Sequence, residues 1–513
     1  MSFMNAVRQT LNDEYNVSIT ENGAVGYRTT GKELLDLNFA VASLRKMTDT
    51  DVAKRFMKAF CEDHVLAMKW LFYARDVRGG LGERRLFRVV LAELVKSNPE
   101  MVIPVINLIP EYGRYDDLWC LMDDKEAANV IYQIVDNQLK SDWENMAAKK
   151  PISILAKWMP SINASSAKTK EYGKKLCKAL KMTEREYRKA LSKLRKYMDV
   201  VEVKMSDKNW SEIKYEAVPS RANLIYNSAF LRNDEARRRE YLGKLEKGET
   251  KINASTLFPH DIVHKYMSGS SMWSARLKAK DAAIEAMWKA LPDAVKGCGN
   301  TIVVADGSGS MTCTVDNNSR VTALEVANAL AIYFAERSSG DFKDKYITFS
   351  HNPRLVDFSK CNSLHDKLQT ALMHNEVADT NIEKVFDLIL TTAINGRMHQ
   401  EDLPKNVLII SDMEFNSCAR CDYGRPNQTL FNAIAKKYAR AGYKMPRLVF
   451  WNVNSRTGTI PVKENELGVA LVSGFSVNVA KMVMSGKTDP FECLLETLNS
   501  ERYAPVEEAL LNQ

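Results

Sequence analysis

Residues 301–312 read T-I-V-V-A-D-G-S-G-S-M-T and hold the side chains most able to do chemistry. One carboxylate and two hydroxyls, Asp306, Ser308 and Ser310, alternate along a turn whose glycines permit the bend. Oxygen-only donors suit a hard divalent cation. Mg²⁺ takes octahedral oxygen coordination and keeps several waters, so a few protein oxygens suffice. The same short pattern also serves as an Asx or Ser turn capping a helix. Its setting is informative: the β-branched run Thr301 to Val304 predicts a buried strand ending near Asp306. An apolar-periodic stretch follows, with Val321, Leu324, Leu330, Ile332 and Phe334 predicting a buried helix face. In an open α/β sheet, ligands bind at the carboxyl ends of such strands.

The D-x-S-x-S turn after a buried strand resembles the metal-ion-dependent adhesion site of von Willebrand A (vWA) domains. That resemblance implies two further ligands, a Thr on a loop and an Asp after a later strand. This chain offers both in order: Thr380 in Ala378-Asp379-Thr380-Asn381, and Asp412 closing Val407-Leu-Ile-Ile-Ser-Asp. Ala378-Asp379 stands where the family usually has Gly-Gly, and Asp379 would add a carboxylate behind the ligands. The implied cofactor is Mg²⁺ or another divalent cation.

Strands and helices alternate after the turn. Tyr346–Phe349, Arg354–Phe358, Val407–Ser411, Leu448–Val453 and Val469–Val472 read as strands. Helical patterns fall near Ala323–Arg337, Ile382–Ala393, Gln428–Ala441 and Val477–Met484. That order predicts a doubly wound, mostly parallel sheet over 299–513. Cys418 and Cys421 form one C-x-x-C with no partner pair, which favours structural thiols over zinc.

The elements before the turn differ in kind. Residues 1–32 are polar and read as an arm laid over the rest. Residues 33–298 carry apolar spacings of three and four between polar or Gly-bearing connections, predicting short helices in series that stack as a solenoid. No strict repeat period is visible. Two corners interrupt the pattern. Tyr73-Ala-Arg75-Asp76-Val-Arg78-Gly-Gly-Leu-Gly-Glu83-Arg-Arg lacks a Walker lysine and a preceding strand, so it does not predict a nucleotide loop. It reads as an inter-helix corner whose arginines pair with Asp76 and Glu83, or as a Gly-rich anion cradle. Glu111-Tyr-Gly-Arg-Tyr-Asp116-Asp117-Leu-Trp119 reads as packing and ion pairs. His260 and His264 have i, i+4 spacing but no Glu between them and no third ligand nearby, which disfavours zinc.

Charge separates the two parts. The 513-residue chain carries a formal +8; residues 1–300 hold +11 and residues 301–513 hold −3. Residues 151–200 alone hold thirteen Lys/Arg against four Asp/Glu. Lys168, Lys170, Lys174, Lys175, Lys178, Arg185, Arg188, Lys189, Lys193, Arg195 and Lys196 interleave with apolar residues at helical spacing. Amphipathic helices with a one-signed outer face point to a polyanion, RNA first. Arg75, Arg78, His260, Arg276 and Lys278 are further candidate contacts. The absence of a spanning apolar run, the N-terminus and the odd count of nine scattered cysteines predict a cytoplasmic protein away from membranes; a monomer is the expected state.

The order of parts resembles the Ro (TROVE-module) family, nearest its bacterial and phage-type relatives. The R-D-x-R-G-G-x-G-E-R and G-R-Y-D-D-L corners, Asn22-Gly-Ala, Pro219-Ser220 and Phe258-Pro259-His260 carry the likeness, which spans most of residues 20–500. It implies a HEAT-like ring of helical repeats followed by a vWA domain. It further implies binding of single-stranded ends of misfolded non-coding RNA and of Y-like structured RNA, in quality control with an exoribonuclease, without catalysis. Two alternatives stay open: a vWA-based adaptor that binds a partner's carboxylate through the metal, and a Mg²⁺-dependent hydrolase. The second would want another metal or a general base beside Asp306.

Overall fold

The computed structural model describes residues 15–267, 277–295, 300–350, 352–374, 381–415, 428–462, 468–480 and 489–512, together with Met4, Leu11 and Met482. A hairpin opens the chain, β1 (Val17–Ile19) and β2 (Val25–Tyr27). Helices of eight residues or more follow as α1 (Glu33–Leu44), α2 (Asp49–Glu62), α3 (His64–Arg75), α4 (Arg84–Ser97) and α5 (Lys125–Ala147). Then come α6 (Ala167–Ala179), α7 (Glu184–Tyr197), α8 (Ser220–Asn233), α9 (Glu235–Glu246), α10 (Pro259–Met267) and α11 (Ala282–Lys289). From residue 301, strands β3 (Thr301–Asp306), β4 (Lys345–Phe349), β5 (Leu355–Asp357), β6 (Asn406–Ser411), β7 (Arg447–Asn452) and β8 (Val469–Ser473) alternate with helices. These are α12 (Ala323–Arg337), α13 (Leu364–Met373), α14 (Ile382–Gly396), α15 (Gln428–Arg440), α16 (Pro490–Leu498) and α17 (Ala504–Leu511). A helix-rich N-terminal region thus precedes an α/β region, as the sequence pattern predicts.

The sheet order is β5-β4-β3-β6-β7-β8. All neighbours are parallel except the β4–β5 edge pair. Strands buried on both faces need apolar residues throughout. β3, β8 and almost all of β6 and β7 are buried, whereas β5 alternates exposed, buried, exposed. β3 and β6 are neighbours, with Ala305 opposite Ile410. The connection from β3 proceeds to one side of the sheet and that from β6 to the other. Their carboxyl ends therefore flank the crevice where the strand order reverses.

The chain forms two compact units that do not follow a single cut near residue 298. The first contains Met1–Thr48, Arg55–Glu62 and Leu257–Asn499. The second contains Asp49–Lys54, Asp63–Thr256 and Ser500–Gln513.

Within the first unit, α1 packs on β7, β8 and α16. It is buried almost all round, with Leu34, Leu35, Leu37, Phe39, Val41, Ala42 and Leu44 inside. Asn452 Nδ2 donates to the Phe39 carbonyl at 2.8 Å, and Ser43 Oγ donates to the Ser455 carbonyl at 2.7 Å. α10 packs on α12, and α11 on α13. Buried Glu285 of α11 accepts from Tyr266 Oη at 2.8 Å and from the amides of Leu364 and His365, closing the start of α13. Of the expected helical body, α1 therefore packs on the sheet, and α10 and α11 pack on helices of the α/β region, which helical periodicity alone does not reveal.

Within the second unit, the closing segment packs on α3. Arg502 pairs with buried Asp76, Tyr503 stacks on Tyr112 with centroids 5.8 Å apart, and Lys69 Nζ reaches Glu507 at 2.7 Å. This explains the first Gly-rich corner. A Cβ on Gly80 would stand 1.9 Å from the Tyr73 carbonyl oxygen, so only glycine fits. Asp76 pairs with Arg502, and Arg75 with Asp117, rather than with each other or Glu83.

Candidate functional site

Asp306 ends β3, and Asp412 follows the last residue of β6, so the sheet register brings both to the crevice. Both are buried. Ser411 Oγ donates to Asp306 Oδ2 at 2.6 Å, and the Ser308 amide donates to Asp306 Oδ1 at 2.9 Å. The Ser308 and Ser310 hydroxyls are 2.9 Å apart. The Glu414 amide donates to Asp412 Oδ1 at 3.2 Å, while Asp412 Oδ2 is buried with no hydrogen-bond partner among the described residues.

Two buried carboxylates in one crevice repel each other. Burial raises the Asp306 carboxyl above its ordinary value, only partly offset by hydrogen bonds from Ser411 and Ser308. Burial, then the charge of Asp306, pushes Asp412 up to about 7. A bound divalent cation would remove that cost, and Asp412 Oδ2 is the oxygen left for it. The four described side chains offer oxygen only, the donor set a hard cation takes. Thr380 lies outside the described residues, as do Asp379, Cys418 and Cys421. Among the described residues no three or more His, Cys, Asp or Glu side chains cluster as a metal site. The candidate rests on two carboxylates and hydroxyls instead.

Sequence reasoning missed the groups that frame this crevice. Arg456, after β7, places Nη1 3.5 Å from Asp412 Oδ2 and pairs through Nη2 with Glu21. Glu414 accepts from the amides of Glu21 at 2.9 Å, Arg456 at 2.8 Å and Thr457 at 2.9 Å. Thr20 Oγ1 donates to the Phe415 carbonyl at 2.6 Å, and Tyr27 exchanges two backbone bonds of 2.8 Å with Ile460. The polar N-terminal arm is thus a hairpin docked beside the loop after Asp412. Its only visible signal is the Gly-bearing turn at residues 21–26.

The basic segment of the second unit folds as predicted, with Ser166 capping α6 and a Thr183–Glu186 capping box opening α7. Tyr172, Leu176, Tyr187, Leu191 and Leu194 are buried, which turns the cations outward. Lys168, Lys170, Lys174, Lys178, Arg185, Arg188, Lys189, Lys193 and Lys196 are exposed. Some are already engaged. Asp123 accepts from Lys168 at 2.6 Å and Lys175 at 3.3 Å, and hydrogen bonds from Lys168 hold Asp123 below the ordinary carboxylate range. Lys174 approaches Glu184 at 4.0 Å, and Lys193 lies 5.3 Å from the centre of the Trp143 ring. Lys170, Lys178, Arg185, Lys189 and Lys196 make no ion pair among the described residues.

Burial corrects some expected contacts. Arg75 is buried and 2.7 Å from Asp117, so it cannot reach a ligand. His260 is buried between Phe258 and Phe475, with ring centroids 5.6 and 5.2 Å away, a core role. Arg195 is half-buried and donates to the carbonyls of Ala156 and Met159 at 2.8 and 3.0 Å, locking α7 in place. Arg78 and Lys278 are exposed, and Arg276 lies outside the described residues. His264 stands 3.0 Å from Glu325 rather than sharing a ligand with His260.

Comparison with known proteins returns relatives without an assigned activity. Residues 300–506 match the family described as domain of unknown function DUF7788. An uncharacterized protein of Acanthamoeba polyphaga mimivirus is 29% identical, aligned over 96% of this chain and 89% of its own length. Residues 20–111 and 128–301, just over half of the chain, match the family described as domain of unknown function DUF2828. The chain belongs to the DUF2828 family.

Proposed function

We propose that this protein binds RNA without catalysis, in the manner of the Ro family it resembles, through a HEAT-like helical body joined to a vWA-like domain. The observation that carries the reading is the outward face of α6 and α7. There Lys170, Lys178, Arg185, Lys189 and Lys196 lie exposed without ion-pair partners among the described residues. Phosphate contacts of this kind hold single strands and structured RNA alike, without base readout. Single-stranded ends of non-coding RNA and Y-like structured RNA are the proposed ligands, with an exoribonuclease or other protein as partner. The cytoplasm is the proposed location.

Asp306, Ser308, Ser310 and Asp412, with Thr380, would hold Mg²⁺. When bound, the ion supplies a Lewis-acidic position that an incoming carboxylate can complete. The chain's own residues orient the ligands: Ser411 fixes Asp306, and Glu414 fixes the loop that bears Asp412. A second reading, a metal-dependent adaptor, is favoured by Asp412 Oδ2, which has no hydrogen-bond partner among the described residues.

Sequencing RNA that co-purifies with the full chain tests the first reading. Enrichment of non-coding RNA, left intact on incubation with Mg²⁺, is expected. Purification free of RNA, with a protein partner released by EDTA, would favour the adaptor instead.

A further inference from the structure

Four guanidiniums meet two carboxylates where α3, α4 and the short helix Tyr115–Leu121 come together in the second unit. Fully buried Asp117 takes Arg75 Nη2 on Oδ2 at 2.7 Å and Arg88 Nε on Oδ1 at 2.5 Å. Asp116 takes Arg88 Nη2 at 3.0 Å, Arg114 Nε at 3.1 Å and Arg84 in a closer pair. The cluster is therefore two positive charges beyond neutrality. Arg75 is buried, so the surplus falls on Arg84, Arg88 and Arg114, whose side chains are 44%, 28% and 31% exposed.

Three further features favour an anion there. Arg84 opens the fourteen-residue α4, whose first turn holds no acidic residue and whose N-cap residue, Glu83, makes no side-chain cap hydrogen bond. Its N-terminal amides add to the positive field. Burial, joined by repulsion from a neighbouring guanidinium, holds both Arg84 and Arg114 below the ordinary arginine range. The Arg114 guanidinium lies 4.2 Å from the centre of the Trp158 ring, and the Trp158 indole N–H is buried with no acceptor among the described residues.

We infer that Arg84, Arg88 and Arg114 form a binding site for inorganic phosphate or a phosphate monoester. A dianion matches the two surplus charges, and guanidinium forks pair with phosphate oxygens in a way ammonium groups do not. The site is separate from the outward face of α6 and α7 and does not rest on the RNA reading. The phosphate can come from a small ester or from the 5′ end of an RNA.

The test is thermal unfolding of the full chain in inorganic phosphate against sodium chloride at equal ionic strength. Phosphate far above its dissociation constant is expected to raise the midpoint by about 2–4 °C. The Arg84→Gln/Arg114→Gln variant should lose that increment while keeping its far-ultraviolet circular dichroism. Should the double variant fail to fold, Arg114→Lys keeps the charge without the fork and should lose at least half of the increment. Equal midpoints in phosphate and chloride, or an increment unchanged in the variants that fold, would overturn the site. With the increment present, tighter binding of 5′-phosphorylated than of 5′-hydroxyl single-stranded RNA, abolished in the variant, assigns the site to RNA ends. Equal binding of the two RNAs assigns it to small esters.

Discussion

Arg456 Nη1 lies 3.5 Å from the buried Oδ2 of Asp412, and Glu21 holds the same guanidinium from the N-terminal hairpin. A fixed cation thus faces the carboxylate crevice before any metal enters. Its charge relieves part of the Asp306–Asp412 repulsion, and it also disfavours a second cation. Arg456→Gln should therefore lower the stability of the metal-free protein and tighten Mg²⁺ binding about three- to tenfold, the scale of a partly screened charge pair near 1 kcal/mol. Titration calorimetry with Mg²⁺ checks this. Weaker binding in the variant would show that Arg456 organises the ligands instead.

The raised pKa of Asp412 sets a pH dependence. The unfolded carboxyl ionises near 3.8, whereas the folded one holds its proton to about 7. Between those values the unfolded state has released the proton and the folded state has not, so metal-free stability falls as pH rises and levels off above about 7. Mg²⁺ needs the carboxylate, so its affinity should climb across the upper part of the same window. Urea unfolding with and without Mg²⁺ from about pH 5.5 to 8 reads both trends. Asp412→Asn should flatten both.

The corner at residues 75–83 is a structural joint of the second unit. Arg502→Ala leaves buried Asp76 without its guanidinium and should cost about 2 kcal/mol, less than a fully buried pair because Arg502 is a third exposed. Gly80→Ala forces a methyl onto the Tyr73 carbonyl and should cost at least as much. Denaturant midpoints measure both. A neutral Gly80→Ala would mean that the α3–α4 corner relaxes freely.

Much of this architecture is written in the sequence because burial on both faces leaves a strong mark. The runs ending at Asp306 and Ser411 are continuous apolar strands, and their ends place two carboxylates together. α6 and α7 are legible for a related reason, since cations alternate with Tyr172, Leu176, Tyr187, Leu191 and Leu194 at helical spacing. What the sequence hides is which apolar face meets which. α1 reads like any helix of the N-terminal series, yet it covers β7 and β8. Arg456 and Glu21 lie about 430 residues apart in a chain whose loops carry no periodic signal, so their pairing beside Asp412 emerges only in three dimensions. Arg75 and His260 illustrate the converse. A basic residue in a corner looks available until its partner, here Asp117 or a pair of aromatic rings, is seen.

The distribution of partners over α6 and α7 gives the most direct test. Lys168 and Lys175 already answer Asp123, whereas Lys170, Lys178, Arg185, Lys189 and Lys196 do not answer a carboxylate among the described residues. Binding of a fluorescent single-stranded RNA should be measured against salt for wild type, for Lys168→Gln/Lys175→Gln, and for the five-residue Gln variant. The five-residue variant should bind at least tenfold more weakly, with its log–log salt slope reduced by about 0.7 for each phosphate no longer neutralised. The Lys168→Gln/Lys175→Gln variant should differ little from wild type. Equal affinity and slope in all three proteins would contradict an RNA-binding face on these helices.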